Sequence, residues 1–441
     1  MSKRARKRRV WIAMLLARMK GKVTPAGWGV LSVFLFTAMI GLDTDSSIAF
    51  QASALLAAIL LLSFLNSIVF RGSFAATRMV PRFGTVGEPL RYEVLLTNQG
   101  SRAQIGLTYH EAYGDPVARL EEKLRPLKPS RRRGSFRLLE PQPVVPKARF
   151  RPVEAPPVPA GETVSFPSEL LPCKRGVLDL RSARVARPDP LGLFRAFKPV
   201  AGANTLLILP KRYRLPDLEL PGREQYQLGG VTQASSVGRS EEFISLRDYR
   251  RGDPLRHIHW RSWAKTGEPI VKEFEDEFFV RHGLILDTFC DEETRDEVFE
   301  EAVSLAASFA CSIGTQESLL DLMFVGDRAH IFTAGRGVAR ADQLLEVLAG
   351  AQPSGQQSFD SLTSLVLTHS RELSGCVLVL LAWDARRQDL VARLRQMGMP
   401  LRVFLIQEPG AQRVDPATTG LDRGHFRALE AGNLERGLME G

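Results

Sequence analysis

Two apolar runs near the N-terminus restrict this 441-residue chain more than any other feature. Ala26–Leu42 is a stretch of about seventeen uncharged residues, and Ile48–Phe70 also carries no charge. Each is close to the roughly 17–25 residues that a spanning helix needs. Globular helices seldom lack charge over such a length, so the runs predict a two-helix transmembrane hairpin over residues 26–70. The turn Asp43-Thr44-Asp45-Ser46-Ser47 is short and acidic. No small-residue cleavage site follows the first run, and a second run follows at once, which argues against a signal peptide.

Charge orients the hairpin. Residues 1–25 form a basic tail with nine Lys or Arg (Lys3, Arg4, Arg6, Lys7, Arg8, Arg9, Arg18, Lys20, Lys22) and no acid. The turn has no basic residue, and the exit side has Arg71, Arg78 and Arg82. The positive-inside rule then places both termini and the soluble domains in the cytoplasm, on a bacterial inner membrane crossed twice. Val10–Met19 is expected to lie in the interface, with the tail on anionic membrane lipids. The net charge of +10 also belongs to this tail: without its nine cations, 50 basic residues face 49 acidic ones. Nucleic acid is therefore not the expected partner. Four scattered cysteines (Cys173, Cys290, Cys311, Cys376) show no CxxC spacing, which excludes a zinc ribbon and fits a reducing compartment.

The soluble part predicts two more domains. Residues 76–210 read as a β-sandwich, with strands at Arg91–Leu96, Val164–Phe166, Val177–Leu180 and Leu206–Leu209, and turns at Gly84–Pro89 and Asn98–Ser101. A Pro/Arg-rich insertion at 123–161 reads as an extended, partly mobile loop. From His282 the pattern alternates strands and helices, which predicts an α/β domain over 281–410 built on a largely parallel sheet. Its expected strands are His282–Asp287, Leu319–Val325, His330–Thr333, Cys376–Ala382 and Leu401–Ile406. Its expected helices are one beginning near Asp291, then Val338–Leu348, Phe359–Leu373 and Arg386–Met397. The order of these elements, with a hairpin near Asp327, resembles a von Willebrand factor A domain. Residues 411–441 are expected to be a flexible tail.

Between the two domains lies a charged segment, residues 211–280. Within it, residues 238–277 interleave charges of both signs with Phe243, Leu246, Tyr249, Ile258, Trp260 and Trp263. A solvated surface seldom carries so many aromatics, and a core seldom carries so many charges unless they are paired. Glu242-Phe243, Leu246-Arg247-Asp248-Tyr249, Gly252-Asp253-Pro254-Leu255-Arg256 and Ile258-His259-Trp260 are similar to the signature of the domain of unknown function 58 family. That pattern runs roughly EF..LR.Y..GD..R.I.W..AR, and Lys265 stands where it usually has Arg. Asp189-Pro190-Leu191-Gly192-Leu193-Phe194 resembles the family's DPFGLF element, with Leu191 in place of Phe. The likeness runs from the hairpin to about residue 410. It implies a membrane-anchored protein with an immunoglobulin-like or fibronectin-like sandwich, a von Willebrand factor A-like domain and a MoxR-type AAA+ ATPase as partner. It implies no reaction.

Three groups of residues are candidate sites. In von Willebrand factor A domains a D-x-S-x-S loop, a Thr and a further Asp hold a hard cation such as Mg²⁺. Here Asp287 matches, Phe289 and Asp291 replace the two serines, Asp384 stands for the third-loop Asp, and Thr363 and Thr368 both fit poorly. Mg²⁺ is poorly served by this degenerate set, and an N-cap for Asp291 is the plainer expectation. Asp253, His257 and His259 could centre a metal-assisted hydrolase, the two histidines sharing one face if extended. The signature residues Glu242, Phe243, Arg247, Tyr249, Gly252, Asp253, Arg256 and Trp260, with Asp248, Arg250 and Arg251, serve either an internal latch or an intermolecular docking surface. No GxxxxGK[ST], HExxH or GxSxG is present, and no small-molecule substrate is indicated. The expected function is that of a membrane-anchored adaptor working with the ATPase on a client, with the hydrolase as the alternative.

Overall fold

Alternating burial builds the first unit of the chain, residues 1–209, and a parallel sheet builds the second, residues 210–441. The computed structural model describes residues 21–40, 47–111, 146–181, 183–216, 243–251, 253, 255–274, 280–290, 296–312, 318–335, 341–354, 357–411, 414, 420–422 and 424–439. The basic tail, Val10–Met19 and the acidic turn fall largely or wholly outside these residues.

Two apolar helices open the first unit, α1 (Pro25–Ile40) and α2 (Ser47–Ile68). Residues Ile48–Ile68 are long and apolar enough to cross a membrane, with a mean hydropathy of 2.3; α1 is apolar but shorter. Eleven strands follow: β1 (Phe74–Met79), β2 (Phe83–Thr85), β3 (Leu90–Asn98), β4 (Thr108–His110), β5 (Ala148–Phe150), β6 (Val153–Glu154), β7 (Thr163–Pro172), β8 (Gly176–Leu180), β9 (Ala183–Pro188), β10 (Arg195–Ala201) and β11 (Asn204–Leu209). They form an eight-stranded sheet, β5-β7-β3-β1-β10-β9-β4-β6, and a three-stranded sheet, β2-β11-β8. One core joins the two: Val94, Leu96, Phe166 and Leu170 from the larger sheet pack with Leu178, Leu180, Leu206 and Ile208 from the smaller.

Two expectations need correction here. Part of the 123–161 insertion is built into the sandwich: β5 pairs with β7, β6 with β4, and Val158 is buried and bridged to Gln104. The described prolines of this stretch, Pro146, Pro152, Pro156, Pro157 and Pro159, lie between these short pairings rather than in them, where a missing N–H breaks no ladder. Residues 123–145 lie outside the described residues. Arg78, grouped with Arg71 and Arg82 on the exit side, is a buried residue of β1. Its guanidinium pairs with Glu111, Nε to Oε2 at 2.7 Å and Nη2 to Oε1 at 3.1 Å. The hydroxyls of Tyr109 (2.7 Å) and Tyr92 (3.3 Å) also donate to Glu111. Burial, then the Glu111 charge, raises both tyrosines above their ordinary range. For Arg78, burial alone would lower its affinity for the proton, and Glu111 outweighs it.

The second unit contains a small hairpin, β12 (Phe243–Asp248) with β13 (Ile270–Phe274), and between its strands the short helix α3 (Trp260–Thr266). The main sheet has six strands: β14 (Val280–Leu286), β15 (Ser318–Val325), β16 (Ala329–Ala334), β17 (Gly375–Leu380), β18 (Leu401–Gln407) and β19 (Phe426–Glu430). Their order is β16-β15-β14-β17-β18-β19, and β16 alone runs antiparallel. The helices are α4 (Asp296–Ser312), α5 (Ala341–Gly350), α6 (Phe359–His369), α7 (Ala385–Gln396) and α8 (Leu434–Met439). Side chains alternate across a strand. Ile285, Val403 and Leu405 join the cluster with Phe359, Leu362, Leu390 and Leu394 of α6 and α7. Phe404, on the opposite face, meets Phe309 of α4 with ring centroids 5.1 Å apart. Both faces are covered, so the strands read as continuous apolar runs.

The expected flexible tail is in part structured. Strand β19 adds to β18 in parallel register, and Leu434 and Leu438 of α8 are buried. A five-residue strand carrying Arg427 and Glu430, followed by a six-residue helix, is too short and too charged for periodicity to reveal.

The buried pair in the sandwich yields a test. Arg78→Ala should lower stability by about 3–5 kcal/mol, because Glu111 stays buried without its cation. Arg78→Met combined with Glu111→Leu should recover part of that loss. Denaturant midpoints of the two variants measure both effects.

Candidate functional site

The main sheet changes its direction of growth beside β14. From β14 the chain adds β15 and β16 on one side, then crosses to add β17, β18 and β19 on the other. At such a switch point the loops leaving the carboxyl ends of neighbouring strands diverge, and parallel sheets usually bind ligands there. Asp287 follows β14 and Asp384 lies four residues beyond β17, so two of the three expected metal aspartates converge on this place.

A guanidinium occupies it. Asp287 is fully buried; Oδ2 accepts from Arg387 Nε at 2.6 Å and from the Leu381 N–H at 3.0 Å, and Oδ1 accepts from the Phe289 N–H at 3.0 Å. The other nitrogens of Arg387 donate to Asp384 Oδ2 at 2.7 Å and to the Phe289 carbonyl at 2.9 Å. Asp384 also caps α7, taking the Arg387 N–H at 2.9 Å. The guanidinium lies 4.8 Å from the centroid of the Phe359 ring, which is edge-on to Phe289. Burial raises the Asp287 carboxyl, and Arg387 and the two amides oppose it. Burial would lower Arg387, and the Asp287 and Asp384 carboxylates more than reverse it. A cation between Asp287 and Asp384 is thus part of the chain itself. The donor set does not fit Mg²⁺: both Asp287 oxygens are taken, Phe289 contributes a carbonyl already bonded to Arg387, and Asp291 lies outside the described residues. Thr368 donates its hydroxyl within its own helix, to Ser364.

Sequence reasoning missed Arg387. Its signal was a basic residue in the first turn of a helix, where the positive end of the macrodipole disfavours it.

The charged signature folds locally. Arg247 on β12 makes a two-pronged pair with Asp253, Nη1 to Oδ2 at 2.7 Å and Nη2 to Oδ1 at 2.9 Å, and the Arg250 N–H donates to the same carboxylate at 2.8 Å. Those hydrogen bonds, from Arg247 first and then the Arg250 amide, hold Asp253 down at about 2. Tyr249 N–H donates to Pro269 O at 2.9 Å, and His259 N–H to Ile270 O at 2.8 Å. Ile258, the buried anchor of the segment, bridges Val271. Trp260 and Arg256 of the same signature are exposed, Trp260 at 64%. Trp260 stacks on Trp263, with centroids 5.2 Å apart, and Leu255, five residues before Trp260, is 68% exposed. Arg251, Arg261 and Lys265 are exposed as well. Glu242 and Gly252 lie outside the described residues, as does the Phe243 side chain.

Two of the three residues expected at a hydrolase centre are engaged locally. Asp253 is held by Arg247, and His259 Nδ1 bonds Ser262 Oγ at 2.7 Å. Among the described residues no three of His, Cys, Asp and Glu are grouped so as to hold a metal ion.

Three outcomes follow from this geometry. Arg387→Ala should cost about 3–5 kcal/mol of stability, because it leaves Asp287 buried and unpaired. EDTA or millimolar Mg²⁺ should not shift the melting temperature of the wild type; a rise with Mg²⁺ that disappears in Asp287→Ala would contradict the guanidinium assignment. The third outcome concerns acid. The Asp253 carboxyl is depressed from its ordinary value near 4 to about 2, so its stabilisation is complete above the ordinary value and is lost as pH falls through about 2. Denaturation at a series of pH values should show the difference between wild type and Asp253→Asn constant above pH ~5 and vanishing near pH ~2.

Comparison with known proteins adds a partial family match. In Bacillus subtilis (strain 168) the uncharacterized protein YeaD is 28% identical over 189 residues, which is 42% of this chain and 45% of that protein. The chain thus spans less than half the length of this curated relative. A solution structure of the CARDB domain of PF1109 from Pyrococcus furiosus covers 30% of this chain and 94% of its own, at 10% identity and a TM-score of 0.15. A cohesin module from a Clostridium perfringens family 33 glycoside hydrolase covers 31% and 98%, at 13% identity and a TM-score of 0.16. The family described as protein of unknown function DUF58 matches residues 245–407, from the charged hairpin to the end of β18.

Proposed function

We propose that this chain is a membrane-anchored adaptor that faces the cytoplasm and works with a MoxR-type AAA+ ATPase on a client protein. In this reading residues 26–70 cross the inner membrane twice, and the β-sandwich and the von Willebrand factor A-like domain stand on the cytoplasmic side. The ATPase supplies energy, and the adaptor supplies location and a docking face.

The face formed by residues 255–265 carries the reading. Leu255 and the stacked Trp260 and Trp263 sit among Arg256, Arg261 and Lys265, with Leu255 and Trp260 largely exposed. Trp and Arg are the residues most enriched at interface hot spots. The segment needs none of this exposed surface for its own closure, which rests on the Arg247–Asp253 pair and Ile258. The filled switch point favours the same view, since the usual ligand position of a parallel sheet is taken up by Arg387.

The test uses full-length protein solubilised from membranes. Trp260→Ala and Arg256→Ala should melt within about 0.5 kcal/mol of wild type, as exposed substitutions do. Both should fail to retain an AAA+ ATPase that wild type retains, as read by mass spectrometry. Retention by both variants would remove the docking face. Failure to recover any ATPase with wild type would remove the adaptor reading.

A further inference from the structure

The turn Asp189–Phe194 has no part in the docking face, yet it is closed by hydrogen bonds of its own. The Asp189 carboxylate accepts the Leu191 N–H at 3.0 Å and the Phe194 N–H at 2.6 Å, and Gly192 N–H returns to Asp189 O at 2.9 Å. Gly192 adopts φ 71°, which an L side chain disfavours. The closed turn presents its carbonyls to the start of α1. Thr24 donates its hydroxyl to Gly192 O at 2.6 Å and its N–H to Leu193 O at 3.0 Å, and Val23 bridges Phe194. The Thr24 hydroxyl also takes the Gly27 N–H at 2.9 Å, capping α1. Gly27 packs so closely that a Cβ would lie 2.2 Å from the Leu193 oxygen.

The second helix is fixed at the same level. Phe64 meets Phe194 edge-on, with centroids 5.8 Å apart. Two residues beyond the end of α2, Phe70 is buried in the sandwich core, with the Arg187 guanidinium 4.5 Å from its ring centroid. Two residues reach at most about 7 Å. The sandwich therefore begins where the apolar helices end. Around that level Trp28 (48%), Leu191 (53%) and Val69 are exposed, and so is Arg71. A Trp with neighbouring cations is the usual composition of a membrane–water boundary.

We infer that the Asp189–Phe194 turn is a lipid-contacting seat: it clamps the first turn of α1 and rests Leu191 in the headgroup region of an anionic bilayer. The inference depends on the spanning reading of residues 26–70. It adds that the sandwich is held against the bilayer by a built contact rather than tethered to it by a loose linker.

Full-length protein carrying the photo-crosslinker p-benzoylphenylalanine in place of Leu191, or of Leu55 in α2, would be reconstituted in phosphatidylcholine–phosphatidylglycerol vesicles and irradiated. Mass spectrometry should find lipid adducts at both positions. Gly27→Leu should reduce the adduct at 191 several-fold and leave that at 55 unchanged, with circular dichroism confirming that the sandwich remains folded. Lipid adducts at 55 without any at 191 would overturn the seat and keep the span. No adduct at either would remove the span, and the seat with it. Irradiation in native membranes that yields protein adducts at 191 in place of lipid would also overturn the seat.

Discussion

A carboxylate with no access to water governs the second unit. Asp287 follows the central strand of the main sheet, where burial opposes its charge and a fixed cation, with two main-chain amides, offsets that cost. Arg387 provides it from the neighbouring crossover. Because the guanidinium is planar and has five donors, it reaches Asp287, Asp384 and the Phe289 carbonyl together. The ends of β14 and β17 and the start of α7 are tied through one side chain. A lysine could not make that set of bonds. The place where a sheet of this order would open to a ligand is thereby taken up by a side chain of the chain itself.

The sandwich uses the same device for a different purpose. Arg78 and Glu111 form a buried two-pronged pair, and Tyr92 and Tyr109 complete the shell of the carboxylate. Such pairs add little to stability compared with apolar residues of equal volume. Their effect is on register. A slip of one residue in β1 would turn Arg78 outward and strand Glu111 among apolar side chains. The pair therefore specifies how β1 lies between β3 and β10.

What could be read in advance divides along the same line. The central strands of the α/β unit were legible because both faces are apolar, as in Gly375–Leu380, where every residue is buried. The amphipathic stripe of α4 was legible through Val298, Ala302, Leu305, Ala306 and Phe309. Strand β1 was not, since its inward set is Phe74, Ala76 and Arg78, and the arginine breaks the apolar alternation. At the site, Asp287 and Asp384 were expected from the resemblance to the von Willebrand factor A metal loops, but their common partner was not. Arg387 is a hundred residues from Asp287, and a pair so distant leaves no local periodicity. The exposure of Trp260 was also hidden, because composition shows that aromatics and charges are mixed without showing which of them the hairpin encloses.

The two stretches that resemble family signatures are built alike. In each, an aspartate closes a turn on main-chain amides: Asp189 on Leu191 and Phe194, Asp253 on Arg250. In each, large apolar side chains are left outside, Leu191 in one and Leu255 and Trp260 in the other. Single exposed apolar residues are common and need no explanation. Here they occur beside turns whose own closure is complete without them. Folding gains little from fixing such side chains in water, so their rigid display is best understood as preparation for contact with something outside the unit that carries them. For the second turn the neighbouring arginines and stacked tryptophans suit a protein surface. For the first, the adjoining ends of two apolar helices suit a bilayer.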